Sequence, residues 1–304
     1  MTNTARPRIA LGPILYYWQR STIEDFYADL ADTPVDTVYL GETVCSKRRA
    51  LRLEEWLEIG GMLEAAGKQV VLSTLSLVEA GSELGAIRRI CDNGRFRVEA
   101  NDMTTVQILV DAGLPFATGP SVNVYNPRTL EVLARRGLTR WVPPVELSRD
   151  SIAELHRTRP QGVETEVFAF GRLPLAWSAR CYTARAANLP KDACEFRCLA
   201  YPDGILMQTQ EDEPFLAFNG VQTQSARTFN LLGAVEELVS LGVEHLRISP
   251  QSHHTREIVE RFRLALDGNA VDSAAVEDWL PVGSCDGYWR GDAGMARVAE
   301  NPGA

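Results

Sequence analysis

Residues 35–77 read VDTVYLGETVCSKRRALRLEEWLEIGGMLEAAGKQVVLSTLSL, and they decide the fold. VDTVYLGE (35–42) is short and rich in β-branched and aromatic residues, as a strand requires. In LRLEEWLEIGGMLEAAGK (51–68) the apolar residues recur at three- and four-residue intervals, the helical period, and Gly67 closes the run. QVVLSTLSL (69–77) returns to strand. Two strands joined through a helix, with no hairpin turn between them, predict a parallel pair with the helix as crossover.

The same unit repeats on both sides. RIALGPILYY (8–17) reads as a strand, followed by a helix from a Ser21 cap with Glu24 three residues on. Further strands are expected at FRVEAND (96–102), PFATGPSVNVYN (115–126), TRWVPPVELS (139–148), ETEVFAFGRLPLAWS (164–178) and EHLRISP (244–250). Helices separate them, and Gly67, Gly94, Gly113, Gly137 and Gly242 stand where left-handed caps belong. Eight strand candidates predict an α/β fold, a (β/α)8 TIM-like barrel of irregular form. The rhythm breaks over 179–228, a cysteine-bearing insertion ending in a hairpin with Asp203–Gly204 at its turn. The expected organisation is one barrel-like domain over 1–270, insertion included, and an irregular tail over 271–304.

A net charge of −9 with scattered basic residues argues against nucleic acid or an anionic membrane as the main partner. No run approaches the ~20 apolar residues that span a bilayer. The expected location is therefore cytoplasmic, where clustered cysteines serve metals or catalysis more often than disulfides.

In such barrels, groups that follow the strands meet at the C-terminal face. Glu42 and Cys45 follow the second strand, Glu146 the sixth and Cys181 the seventh. Cys181, Cys194 and Cys198 lie in SARCYTARAANLPKDACEFRC, a C-x12-C-x3-C spacing. Thiolates are soft ligands for iron–sulfur clusters or zinc, and a cuboidal cluster takes four of them. Cys45 is the best fourth on topology. Cys91 falls in a helical pattern and reads as core, while Cys285 in the tail stays open as another neighbour. Zinc knuckles favour paired C-x2–4-C motifs, so this irregular spacing suits a loop-wrapped cluster better. Lys47, Arg48, Arg49, Arg180 and Arg185 flank the cysteines and would offset a cluster's negative charge. Glu42 and Glu146 are weak candidates for proton transfer or substrate binding, a structural bond to a loop amide being the plainer role. Tyr16, Tyr17 and Trp18 are read as core before pocket lining.

These motifs carry a resemblance. YLGETVCSKRR (39–49), GRLPLAWSARCYTAR (171–185), KDACEFRC (191–198), RISPQ (247–251) and SCDGYWR (284–290) resemble the UbiV branch of the collagenase-like peptidase family of unknown catalytic type. The resemblance implies a 4Fe–4S cluster on Cys45, Cys181, Cys194 and Cys198, and oxygen-independent hydroxylation of ubiquinone precursors under anaerobic conditions. It also implies a heterodimer with a related UbiU-like protein, a lipid-carrier protein that presents the intermediates, and prephenate as oxygen source. The alternatives are a non-catalytic subunit stabilised by a cluster or zinc, and a peptidase. The chain has no H-E-x-x-H and no G-x-S-x-G motif, so nothing in it recommends the peptidase.

Overall fold

The computed structural model describes residues 6–298. Its first half is a run of βα units: β1 (Arg8–Leu11), α1 (Arg20–Leu30), β2 (Thr37–Leu40), α2 (Leu53–Ala65), β3 (Gln69–Ser73), α3 (Gly81–Cys91), β4 (Arg97–Ala100) and α4 (Met103–Asp111). The run continues through β5 (Phe116–Thr118), α5 (Pro127–Ala134), β6 (Leu138–Trp141), α6 (Arg149–Thr158) and β7 (Glu164–Trp177). After α7 (Tyr182–Ala186) come β8 (Ile205–Gln208), β9 (Pro214–Asn219), β10 (Gln222–Asn230), α8 (Val235–Leu241), β11 (His245–Ile248), α9 (Thr255–Leu266), β12 (Ser284–Cys285) and α10 (Gly287–Arg290).

Strands β1 to β7 pair in order, all parallel, and β11 closes the ring between β7 and β1. This is the expected eight-stranded TIM barrel. All five predicted cap glycines hold positive φ, from +65° at Gly113 to +106° at Gly137. The outward strand residues, such as Ile9, Leu11, Val38, Leu40, Val70, Leu72, Leu246 and Ile248, pack beneath the helices.

Two features depart from a plain barrel. The first is β7, which is 14 residues long. Its first half lies in the ring beside β6 and β11, and its second half runs on beyond it, antiparallel to β10. Strands β10, β9 and β8 extend this half into a small antiparallel annex at the C-terminal end of the ring. The hairpin's turn is not at Asp203–Gly204, which instead precedes β8. The chain reverses over 209–213, where the Thr209 amide donates to the Glu213 carbonyl, and again at Gly220. A second correction concerns Ser21, which does not cap α1. Gln19 occupies that position, and Glu24 pairs with Arg20 at 2.8 Å.

The second feature is the barrel interior. A barrel lumen is usually filled by branched apolar side chains. Here Ala10, Tyr39 and Val71 form a small apolar patch, and charged side chains take up much of the interior beside it. Arg247 pairs with Glu166 at 2.5 Å and lies 2.7 Å from Glu99, while Arg140 pairs with Glu164 at 2.8 Å. Tyr39 donates to Glu166 at 2.5 Å, and the Arg247 guanidinium stacks 4.1 Å over the Tyr39 ring. Burial would raise the Glu166 carboxyl, but Arg247 and Arg140 hold it below the usual range. Such a network does more to fix one arrangement than to add stability, because desolvating the charges offsets much of their attraction.

Beyond α9, residues 273–279 form a 3-10 helix and β12 lies parallel to β10. Cys285 and Trp289 are buried in the main core, so the described part of the C-terminal segment is bound to the barrel. The predicted tail's last residues, 299–304, lie outside the described part.

Candidate metal-binding thiol site at the barrel mouth

The site is built by the overhang of β7. Because β7 projects past the ring, Cys181 emerges at its far end, above the strand ends and beside the β2–α2 loop that carries Cys45. Cys45 and Cys181 pack on one apolar layer made by Leu15, Val44 and Val221, with Trp177 at its edge. Hydrogen bonds fix this junction: the Ser178 amide donates to the Val221 carbonyl and the Tyr182 amide to the Gly220 carbonyl, each at 2.9 Å.

Cys194 and Cys198 arrive on the loop between α7 and β8. Two residues between them, Glu195 and Phe196, are left-handed, with φ of +51° and +50°. That coil turns the C-x3-C segment back on itself, and non-glycine residues adopt it only where the surroundings demand it. Lys47 ties this loop to Cys45, donating to the Lys191 carbonyl at 3.0 Å and to Asp192 at 2.8 Å. Its ammonium lies close enough to Cys45 and Cys194 to feel both thiolates. Lys191 in turn pairs with Glu79 at 2.6 Å.

Arg48 is the centre of the arrangement. Its side chain is 1% exposed. It donates to the Leu15 carbonyl at 2.8 Å and to Asn219 Oδ1 at 2.7 Å, joining the β1 loop, the β2 loop and the annex. Its charge also reaches the Cys198 thiol, and it faces the Tyr17 ring at 5.8 Å. Burial pushes the Cys45 and Cys198 thiols up, and Arg48 opposes it at both. Cys45 and Cys198 each feel the charge of Cys181, which places the three sulfurs in one neighbourhood.

All six cysteines are free thiols. Cys45, Cys181, Cys194 and Cys198 are partly exposed, whereas Cys91 and Cys285 are buried, which separates the four predicted ligands from the other two. Among the described residues no three His, Cys, Asp or Glu side chains close around one point as a single metal ion requires. Zinc–sulfur bonds are about 2.3 Å, so zinc draws its thiolates into near contact. A cuboidal cluster binds each thiolate at a different iron and leaves the sulfurs farther apart. Four thiols, with a buried arginine and a lysine beside them, are soft donors of the kind that zinc or an iron–sulfur cluster takes.

The two carboxylate candidates separate cleanly. Glu42 accepts from the amides of Val44 at 2.8 Å and Cys45 at 3.0 Å, so it braces the loop that carries the thiol. Burial pushes its carboxyl up, against the pull of Arg48 and the two amides. Glu146 is exposed and accepts a hydrogen bond from the Tyr125 hydroxyl. Tyr16 and Trp18 are core, as expected, and Tyr17 alone of the three aromatics borders the thiols. The four histidines lie elsewhere: His156 meets Thr165, His245 lies inside the barrel, and His254, with His253 beside it, stacks on Trp279.

Sequence reading missed Glu99, Glu166, Arg140 and Arg247. The signal was present, since a charge in mid-strand between outward apolar neighbours, as in RVEA or HLRI, must point into the barrel.

Several solved structures are similar to this one. A Rubisco-like protein from Rhodopseudomonas palustris is 14% identical with a TM-score of 0.50, over 89% of this chain and 66% of that one. The U32 peptidase Mk0906 is 13% identical with a TM-score of 0.46, over 83% and 96% of the two chains. At such identity the likeness is one of fold. The sequence itself carries the relationship further: residues 22–280, from the first helix to the close of the last 3-10 helix, match the profile of peptidase family U32, and the chain belongs to that family.

Proposed function

We propose that Cys45, Cys181, Cys194 and Cys198 hold a 4Fe–4S cluster. On this reading the chain serves, with a related UbiU-like partner, in dioxygen-independent hydroxylation of ubiquinone precursors. The observation that supports it is the convergence of thiols from two distant loops around the buried Arg48, at the end of the barrel where such folds act. Bound there, the cluster would supply one-electron chemistry, since four thiolates leave no iron position for substrate.

The chain's own residues prepare the position. Glu42 holds the Cys45 loop by two amides, and Lys47 and Arg48 offset the negative charge of four thiolates. Leu15, Val44, Val221 and Trp177 form an apolar floor beneath Cys45 and Cys181. The oxygen donor on this reading is prephenate, and a lipid-carrier protein presents the apolar intermediates. The family's name recommends a peptidase, but the chain carries neither H-E-x-x-H nor G-x-S-x-G.

The test is substitution. Cys45→Ala and Cys194→Ala, in anaerobically grown cells, are expected to lose bound iron and anaerobic quinone synthesis together. Iron at wild-type stoichiometry in either variant would sink the ligand assignment. Iron lost with quinone synthesis intact would sink the role.

A further inference from the structure

Beneath the thiols, at the top of the barrel lumen, is a cavity of about 30 Å³ that is partly open to the outside. It holds one or two water-sized groups. Polar atoms of Thr43, Glu99, Gln222 and Arg247 line it, together with the apolar walls of Leu15, Phe168, Pro174 and Trp177. All four of those polar residues are more than nine-tenths buried. Each has an atom with no hydrogen-bond partner: Thr43 Oγ1, Glu99 Oε1, Gln222 Nε2 and Arg247 Nη2. Arg247 Nη2 and Glu99 Oε1 lie 2.7 Å apart as an ion pair and make no hydrogen bond.

Buried polar groups left unpaired cost free energy, about 1–3 kcal/mol each, and natural proteins leave few of them. Two with no partner of any kind, Thr43 Oγ1 and Gln222 Nε2, on one small cavity beside a buried ion pair therefore point to a ligand group. Their chemistry narrows it. The Glu99 carboxylate oxygen only accepts, the arginine and amide nitrogens only donate, and the threonine hydroxyl does either. A bare anion would meet Glu99, and a cation would meet Arg247. A group that donates to Glu99 and accepts from Arg247 or Gln222 satisfies both, and a hydroxyl does so without net charge. The ion pair is itself neutral, which also favours an uncharged guest. Its supports are rigid: Glu99 Oε2 already accepts from Ser73 at 2.7 Å and Asn101 at 3.1 Å, and Arg247 is held by Glu166. Gly119 packs so closely on Asn101 that any β-carbon there would fall 1.8 Å from its oxygen, which fixes the rim.

We propose that this mouth binds the hydroxyl end of an otherwise apolar molecule, with the apolar body resting on Leu15 and Trp177 at the open side. These two residues also belong to the layer under Cys45 and Cys181, so the guest would lie next to the thiol site. The binding does not depend on what the thiols hold.

The test compares three probes with one body: cyclohexanol, cyclohexanecarboxylate and cyclohexylammonium. Saturation-transfer NMR on the full chain, purified without oxygen, reads their affinities. Cyclohexanol is expected to bind in about the millimolar range, and the charged probes at least about tenfold more weakly. Thr43→Val and Gln222→Met, each close in volume to the native residue, should each weaken cyclohexanol by about three- to tenfold. Glu99→Gln should narrow the discrimination against the carboxylate, since one of the two carboxylates beside Arg247 is then neutral. Thermal melts confirm that the variants fold, and Thr43→Val stands as the decisive variant if Glu99→Gln does not. Equal or tighter binding of a charged probe, no binding of cyclohexanol, or cyclohexanol binding that Thr43→Val leaves unchanged would each overturn the proposal.

Discussion

Replacing Arg48 with methionine keeps an unbranched side chain in its slot and removes the charge and the donors. The wild-type guanidinium makes charged hydrogen bonds to the Leu15 carbonyl at 2.8 Å and to Asn219 Oδ1 at 2.7 Å. Bonds to charged groups contribute about 1.5–3 kcal/mol each. The Leu15 carbonyl keeps a second donor, Asn219 Nδ2 at 2.7 Å, so its loss falls at the low end. Asn219 Oδ1 has no such reserve and is left buried. Together these give about 3–5 kcal/mol of destabilisation. Urea unfolding of the metal-free protein, followed by fluorescence and far-UV circular dichroism so that coincident transitions are verified, measures it. A loss below about 1 kcal/mol would refute the view of Arg48 as the joint between barrel, loop and annex. Arg48→Lys is the companion variant: one ammonium cannot span both acceptors, so it should recover less than half of the loss.

Further outcomes follow from the same contacts. Glu166→Ala breaks the buried pair with Arg247 and the bond from Tyr39, so it should destabilise by about 3–5 kcal/mol; thermal unfolding no lower than wild type would show that the network is dispensable. Burial and then Arg159 depress His156 to about 4, below the usual value of 6.5. The unfolded chain therefore binds the extra proton first, and stability should fall as pH drops from about 6.5 toward 4. His156→Gln should flatten that decline, and an unchanged slope would remove His156 from the account. Burial pushes the Cys91 thiol up to about 11 and Cys285 to about 12. Brief iodoacetamide treatment of the metal-free native protein should then label Cys45, Cys181, Cys194 and Cys198 and spare these two. Labelling of Cys91 or Cys285 at a comparable rate, read by mass spectrometry, would contradict the placement of the cysteines.

Much of this architecture is legible in local patterns because barrel units are local. The alternation of apolar runs and amphipathic stretches marks each βα step, and glycines at Gly67 or Gly242 end helices by a rule that needs no neighbours. What escaped reading is long-range. The doubled role of β7, ring strand at one end and annex strand at the other, depends on β10 pairing with it some fifty residues later. Asp203–Gly204 carries turn chemistry, yet Asp203 is engaged by Ser252 from after β11, and the reversal falls at 209–213 instead. The four cysteines could be singled out by type and spacing, while Arg48, flagged only as a flanking cation, is central because Leu15 and Asn219 meet it from far along the chain. The Glu99 and Arg247 pair looked like ordinary strand content until the ring closed around it.

Anaerobic purification with iron, sulfide and zinc analysis addresses the central claim most directly. About four irons and four sulfides per chain, with a broad visible absorption that disappears in Cys45→Ala, is the result the account predicts. A colourless protein carrying one zinc on the same cysteines, or no metal after reconstitution with iron and sulfide, would contradict it.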